Sequence, residues 1–149
     1  NSILIIRGCG PVGYPGSAEV VNMQPPDRLL KKGITHLPTL GDGRQSGTSE
    51  SPSILHVSPE SAVGGDLGIV KTGDKMKIDL NKRRVDLLIS QLEFKKRRKN
   101  KKLFKANNQT PWQEIFRDTV GQLEDGACIN SRGNYLDISN KKGLPRNSH

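Results

Sequence analysis

Aromatic side chains make up only 4% of the 149 residues, and cysteine occurs twice. No apolar run approaches the ~18 residues that read as a membrane-spanning helix. With so few aromatics the core must be built from Ile, Leu and Val, and there is no interleaving of aromatic with basic residues of the kind that stacks on single-stranded nucleic acid. Cys9 and Cys128 lie far apart and match no metal-ligand spacing, so a reduced, cytosolic protein is the expectation. No Gly-Lys-Ser/Thr follows a glycine-rich turn, which excludes a P-loop. The opening "NSILIIRG" has neither an initiator Met nor a signal-peptide pattern and starts inside a strand-like segment. That is expected of a chain belonging to something larger.

Positive charge, by contrast, is abundant but local. The formal net charge is +9, from 24 Lys and Arg against 15 Asp and Glu. "KKRRKNKK", Lys95 to Lys102, supplies seven of the 24, and the remaining 17 against 15 leave only +2. The basicity therefore belongs to one segment and not to a face of the domain. A nucleic-acid-binding module using Lys95–Lys102 is the rival reading it raises. A run of this kind is more often a solvated helix face or loop.

Sixteen glycines and nine prolines imply many turns, and the length suits one domain. Ser2 to Arg7, four of six residues Ile or Leu, reads as a buried strand entering the turn "GCGPVGYPG". Pro25-Pro26-Asp27 opens a short helix that Gly33 closes. Ile34 to Leu40 is the next strand candidate. Lys75 to Leu80 alternates with period two, and turn residues at 72–74 and 81–82 make Leu67 to Ile89 a three-stranded meander. Ser90 and Glu93 have capping-box spacing before a basic helix. Thr110, Pro111 and Gln113 form a second box, and Trp112, Ile115, Phe116, Val120 and Leu123 share one face of a helix expected to look into the core. The sum is an α+β fold in one domain over 1–149. Its β-rich part is about 1–89, a basic helix or linker about 90–109, and a C-terminal helix and tail about 110–149.

"GDGRQSGTS" carries the chemistry. Its bland reading is a mobile surface loop. Its functional reading is an anion-receiving turn, with converging backbone N–H groups, the Arg44 fork and the hydroxyls of Ser46 and Thr48. Taken with "IIRGCGPVGYPGSAEV" before it and "HVSPESAVGGDLGIVKTGDKMKIDL" after it, the order and spacing resemble the C-terminal domain of the dihydroxy-acid and sugar-acid dehydratases. "GYPG", "VVNMQPP" and the closing "GLPRNSH" are most similar to the pentonate (L-arabinonate-type) branch.

The resemblance implies a β-barrel-like, swivelling β/β/α domain with flanking helices. It implies a hydro-lyase that dehydrates a 2,3-dihydroxy sugar acid to a 2-keto-3-deoxy acid, using an iron–sulfur cluster (2Fe–2S) and Mg²⁺. Both would be bound mostly by an absent N-terminal domain, with no cluster ligand on this chain, in what would be a homo-oligomer. Carried over by position, Glu19 matches the Mg²⁺-ligating carboxylate and Ser46 the proposed serine base. Thr48 matches a substrate-hydroxyl contact, and Arg44 is a further candidate contact. His149 corresponds to the terminal histidine of the pentonate branch and is either a substrate contact or a frayed end. Two departures stand out: Ser17 occupies a position where Met is common in the family, and the segment from Lys95 is far more basic than usual. A non-catalytic relic of such an enzyme is a third reading.

Overall fold

The architecture was obtained as a computed structural model. It describes residues 2–17, 19–20, 25–45, 52–105, 107–129, 140–141 and 143, the side chains of 19, 20 and 45 excepted. Strand β1 (Leu4–Ile6) pairs in parallel with β3 (Thr39–Gly41), which pairs in parallel with β5 (Ser53–Ile54). The registers are Leu4 to Thr39, Ile5 to Leu40 and Ile6 to Gly41, then Thr39 to Ser53 and Leu40 to Ile54. A second parallel pair joins β2 (Glu19–Val20) to β4 (Arg44–Gln45). Strands β6 (Met76–Asp79) and β7 (Arg84–Leu87) form an antiparallel hairpin, Met76 opposite Leu87 and Ile78 opposite Val85.

Buried Leu40, Leu67 and Val70 form the core cluster, with Ile3, Ile5, Ile54, Val57, Met76 and Leu87 packed against it. Central β3 is buried along its whole length because strands cover both of its edges. The expected strand over 34–40 is shorter than its sequence suggests. Ile34 is exposed, and regular pairing begins only after Pro38, which has no N–H for a ladder.

The expected three-stranded meander is a two-stranded hairpin preceded by a 3₁₀ turn at Asp66–Ile69. Arginines occupy the carbonyls a first strand would have used. Arg7 donates to Gly68 O at 2.8 Å and to Val70 O at 2.6 Å, and Arg97 to Ile69 O at 3.3 Å. Period-two sequence alone could not register donors arriving from 61 residues upstream or 28 downstream.

Both N-caps form, without the reciprocal half of a capping box: the Glu93 side chain pairs with Arg97 instead, and that of Gln113 takes the N–H of Gln109. Ser90 Oγ accepts from Glu93 N–H at 3.2 Å and opens α2 (Gln91–Lys99). Thr110 Oγ1 accepts from Gln113 N–H at 3.2 Å and opens α3 (Pro111–Thr119), while Gln113 Oε1 takes the N–H of Gln109 at 2.7 Å. The short helix α1 (Asp27–Leu30) starts after Pro26, and Gly33 ends it at φ +75°. One expectation for α3 is corrected. Trp112 is 79% exposed and Ile115 54%, so the apolar face meets the domain only through its far end. There Phe116 approaches the Gly16 backbone; the helix stops at Thr119, so half-buried Val120 and Leu123 lie beyond it and not on its face, Leu123 in a 3₁₀ turn at Leu123–Asp125.

The basic segment is more structural than a solvated helix face. Arg97 holds both Asp74 oxygens (2.6 and 3.1 Å) and Glu93 (2.7 Å), and the Arg97 and Asp74 side chains keep only 12% and 10% of their surface. Hydrogen bonding to this guanidinium holds both carboxyls below their usual range. Arg98 pairs with Asp66 at 2.9 Å, and Lys101 caps the carbonyls of Gly64 and Gly65. With Arg97, Arg98 and Lys101 paired within the fold, four of the run's seven charges are left for a polyanion. Duplex and single-stranded DNA should therefore bind weakly at low salt and lose affinity steeply on going to physiological salt. Tight, sequence-selective binding at physiological salt in a titration would reverse that ranking.

Candidate functional site

The three glycine-bearing motifs converge on one loop. β1 delivers the chain into Gly8–Gly13, β3 delivers it to Asp42 and Gly43, and the segment after β5 reaches Glu60 and Ser61. Asp42 and Glu60 have no exposed surface. Asp42 Oδ2 accepts from Gly8 N–H at 3.0 Å, Ser61 N–H at 2.8 Å and the Ser61 hydroxyl at 2.5 Å. Its Oδ1 accepts from Cys9 N–H at 3.1 Å. Glu60 Oε1 accepts from Val12 N–H at 2.8 Å and Gln122 Nε2 at 2.9 Å, and Oε2 from Gly13 N–H at 3.0 Å. Gln122 completes a reciprocal pair by accepting the Glu60 N–H at 3.0 Å.

A buried carboxylate is costly unless donors meet its lone pairs. Backbone amides of one loop supply most of them here. The glycine spacing follows from the same packing. A Cβ on Gly10 would lie 2.3 Å from Glu60 Oε2, and one on Gly43 would lie 2.9 Å from the Cβ of Cys9. The amides of Gly8, Cys9, Val12 and Gly13 are thus taken by the chain's own carboxylates. This part of the glycine framework is an internal lock and leaves none of those four for an external anion.

Cys9, next to Asp42, is half-buried, whereas Cys128 is exposed, and both thiols are free. Burial pushes the Cys9 thiol above its ordinary value, and the Asp42 charge adds to that. The thiolate is the reactive form. At pH 8, iodoacetamide should therefore modify Cys128 well before Cys9 in the native protein, as followed by peptide mass mapping. Equal rates would show that Cys9 is neither shielded nor held protonated.

The register of β2 and β4 sets Glu19 opposite Arg44 and Val20 opposite Gln45. Two of the sequence-predicted site residues are thereby brought onto neighbouring strands, and Arg44 is exposed. Ser46 follows directly on the last residue of β4. Ser46, Thr48 and His149 lie outside the described residues, as does the side chain of Glu19. His36 and His56 are exposed. Ser17, two residues before Glu19, sits at φ +58° with its hydroxyl buried and without a hydrogen-bond partner among the described residues.

Among the described residues no group of three or more His, Cys, Asp or Glu side chains could hold a metal ion. An iron–sulfur cluster takes about four thiolates. One half-buried thiol held protonated and one exposed thiol do not make such a site.

Asp42 and Glu60 were not singled out from sequence as site residues. The available signal was an acid embedded among glycines and apolar residues, at "GDG" and "SPESAVGG". A charge has no solvent-facing purpose in such a setting unless the fold brings donors to it.

Residues 1–127 match the model of the dihydroxy-acid/6-phosphogluconate dehydratase C-terminal domain, and the chain belongs to that family. Within it, the chain is 54% identical over 147 residues to the D-xylonate dehydratase of Caulobacter vibrioides, covering 99% of this chain and 24% of that protein. It is 48% identical over 97 residues to the L-arabinonate dehydratase of Rhizobium leguminosarum bv. trifolii, covering 65% of this chain and 17% of the relative. To the dihydroxy-acid dehydratase of Thermodesulfovibrio yellowstonii it is 39% identical over 130 residues, or 87% and 23%. The chain spans about a quarter or less of the length of these relatives.

Proposed function

We propose that this chain is the C-terminal part of a hydro-lyase that converts a sugar acid, a 2,3-dihydroxy acid of the pentonate class, to the 2-keto-3-deoxy acid. The register of β2 and β4 carries the reading, because it joins the first motif to the second at Glu19 and Arg44, immediately before Ser46. The 54% identity to a D-xylonate dehydratase along nearly the whole chain supports a pentonate substrate. The fold in this reading is the β-barrel-like swivelling domain, and the rest of the site comes from outside these residues.

In the proposed division of labour, Ser46 in its alkoxide form accepts the C2 proton of the substrate. The electron pair left behind forms the C2–C3 double bond, and the 3-hydroxyl departs with a proton as water. The resulting enol gives up the proton of its C2 hydroxyl, takes a proton at C3 and becomes the 2-keto acid. Thr48 and Arg44 orient the substrate hydroxyls and carboxylate, the latter through the guanidinium fork. Glu19 offers one carboxylate oxygen to a divalent cation, which suits a hard ion that prefers oxygen ligands. When bound, such a cation would stabilise charge on the substrate carboxylate. The remaining metal ligands and all cluster ligands belong to the rest of the polypeptide.

The experiment is an anaerobic assay of the full-length protein for 2-keto-3-deoxy acid, with D-xylonate, L-arabinonate and a branched dihydroxy acid offered in parallel. Turnover of a pentonate in preference to the branched acid is expected. Failure to form a keto acid from any of them, with metals loaded, would remove the reading.

A further inference from the structure

We infer that Asp42 and Glu60 are positioning residues for the reaction, a two-carboxylate clamp that holds β2 and β4, with Glu19 opposite Arg44, in register. The inference rests on the reading of Ser46 given above. Asp42 lies between β3 and β4, two residues before Arg44 and four before Ser46. Its side chain leaves its own strand and grips the first half of the loop that leads to Glu19, at Gly8 and Cys9. Glu60 grips the second half of the same loop at Val12 and Gly13. The dipeptide Glu60-Ser61 ties the two grips together, since Ser61 donates both its N–H and its hydroxyl to Asp42. Gln122 braces Glu60 from beyond α3.

The arrangement does more than satisfy two buried charges. Strands β2 and β4 are two residues long each and exchange few backbone hydrogen bonds, so their pairing is too short to set its own register firmly. Both are extensions of segments whose geometry the carboxylates dictate. A carboxylate suits this role because each of its oxygens accepts and neither donates. An amide would present an NH₂ to an N–H already aimed at it. The clamp therefore depends on charge and acceptor count, which a side chain of equal size does not supply.

The test uses the full-length dehydratase carrying this domain, with Asp42→Asn and Glu60→Gln made alone and in combination with Ser46→Ala. Asp42→Asn keeps the shape and turns one acceptor into a donor facing the loop. With metal content equal to wild type, kcat should fall on the order of 10²-fold, as expected when a reacting group is displaced by about 1 Å. KM should change by about threefold or less, because substrate binding groups remain. In the Ser46→Ala background, Asp42→Asn should add less than about a twofold further loss, since a residue acting through Ser46 has nothing left to position.

Ser46→Ala inactive and Asp42→Asn within about twofold of wild type would overturn the clamp alone. An Asp42→Asn loss that multiplies undiminished onto Ser46→Ala would do so as well, by showing general destabilisation. Wild-type turnover in Ser46→Ala would bring down the reading of the base, and the clamp with it. If Asp42→Asn does not fold, Ser61→Ala, which removes a single donor from Asp42, decides the question. A folded Ser61→Ala enzyme should lose kcat severalfold with unchanged KM, and unchanged kcat would count against the clamp.

Discussion

Ser46→Ala in the full-length enzyme should abolish nearly all turnover while leaving the protein folded. The substitution removes one oxygen beside Gly47 and adds no atom, so folding should survive it. Loss of a general base costs about 10²–10⁴ in rate, equivalent to about 3–5 kcal/mol of transition-state stabilisation. The loss should fall on kcat, with KM little changed, because the base acts after the substrate is bound. Ser49→Ala and Ser51→Ala, hydroxyls in the same stretch but outside the motif match, are the controls and should be mild. Quenched assays on the three variants, each with its metal content measured, separate the outcomes. Equal turnover in Ser46→Ala and wild type, with metals intact in both, would refute the role.

The second large effect is one of stability. Gly10→Ala should leave little folded protein, because the new methyl would lie 2.3 Å from Glu60 Oε2 and 2.6 Å from Glu60 Cβ and Cδ. Glu60 cannot swing aside without abandoning three donors in a site closed to water. Overpacking of this kind costs about 3 kcal/mol or more, a large share of the ~5–15 kcal/mol that holds a typical domain together. Gly8→Ala in the same loop is the informative comparison. Gly8 has φ +81° but, among the described residues, nothing within 4 Å of an added Cβ, so only backbone strain of about 1–2 kcal/mol is expected. Urea unfolding of the two variants should rank them clearly, Gly10→Ala far below Gly8→Ala. Similar midpoints would mean that Glu60 has freedom the packing does not suggest.

The clamp and the clash at Gly10 describe one piece of design. The family motifs look like ligand-binding glycine loops, yet four amides of the first motif, those of Gly8, Cys9, Val12 and Gly13, bind side chains of the second and third. Asp42 and Glu60 are therefore coupled through the loop amides they hold and not through proximity in sequence.

What the sequence determined by itself was local or combinatorial. Ser90 and Thr110 cap their helices because a hydroxyl two or three residues before free N–H groups finds them whatever else the chain does. The β6–β7 hairpin follows from alternation closed by turn residues. The order of three motifs sufficed for the family, since a match in series needs no geometry. Tertiary structure decided everything that depends on distant partners. It turned 67–69 from expected strand into part of a 3₁₀ turn by bringing Arg7 and Arg97 to the carbonyls of this stretch. It made Arg97, in a run that reads as solvated, a nearly buried ion-pair partner of Asp74. It left Trp112 in the open, because a helix's apolar face shows which side seeks cover and not what will cover it. The buried carboxylates are the clearest case. An acid is stable at zero exposure only when donors from elsewhere in the chain converge on it, and that convergence exists only in the folded state.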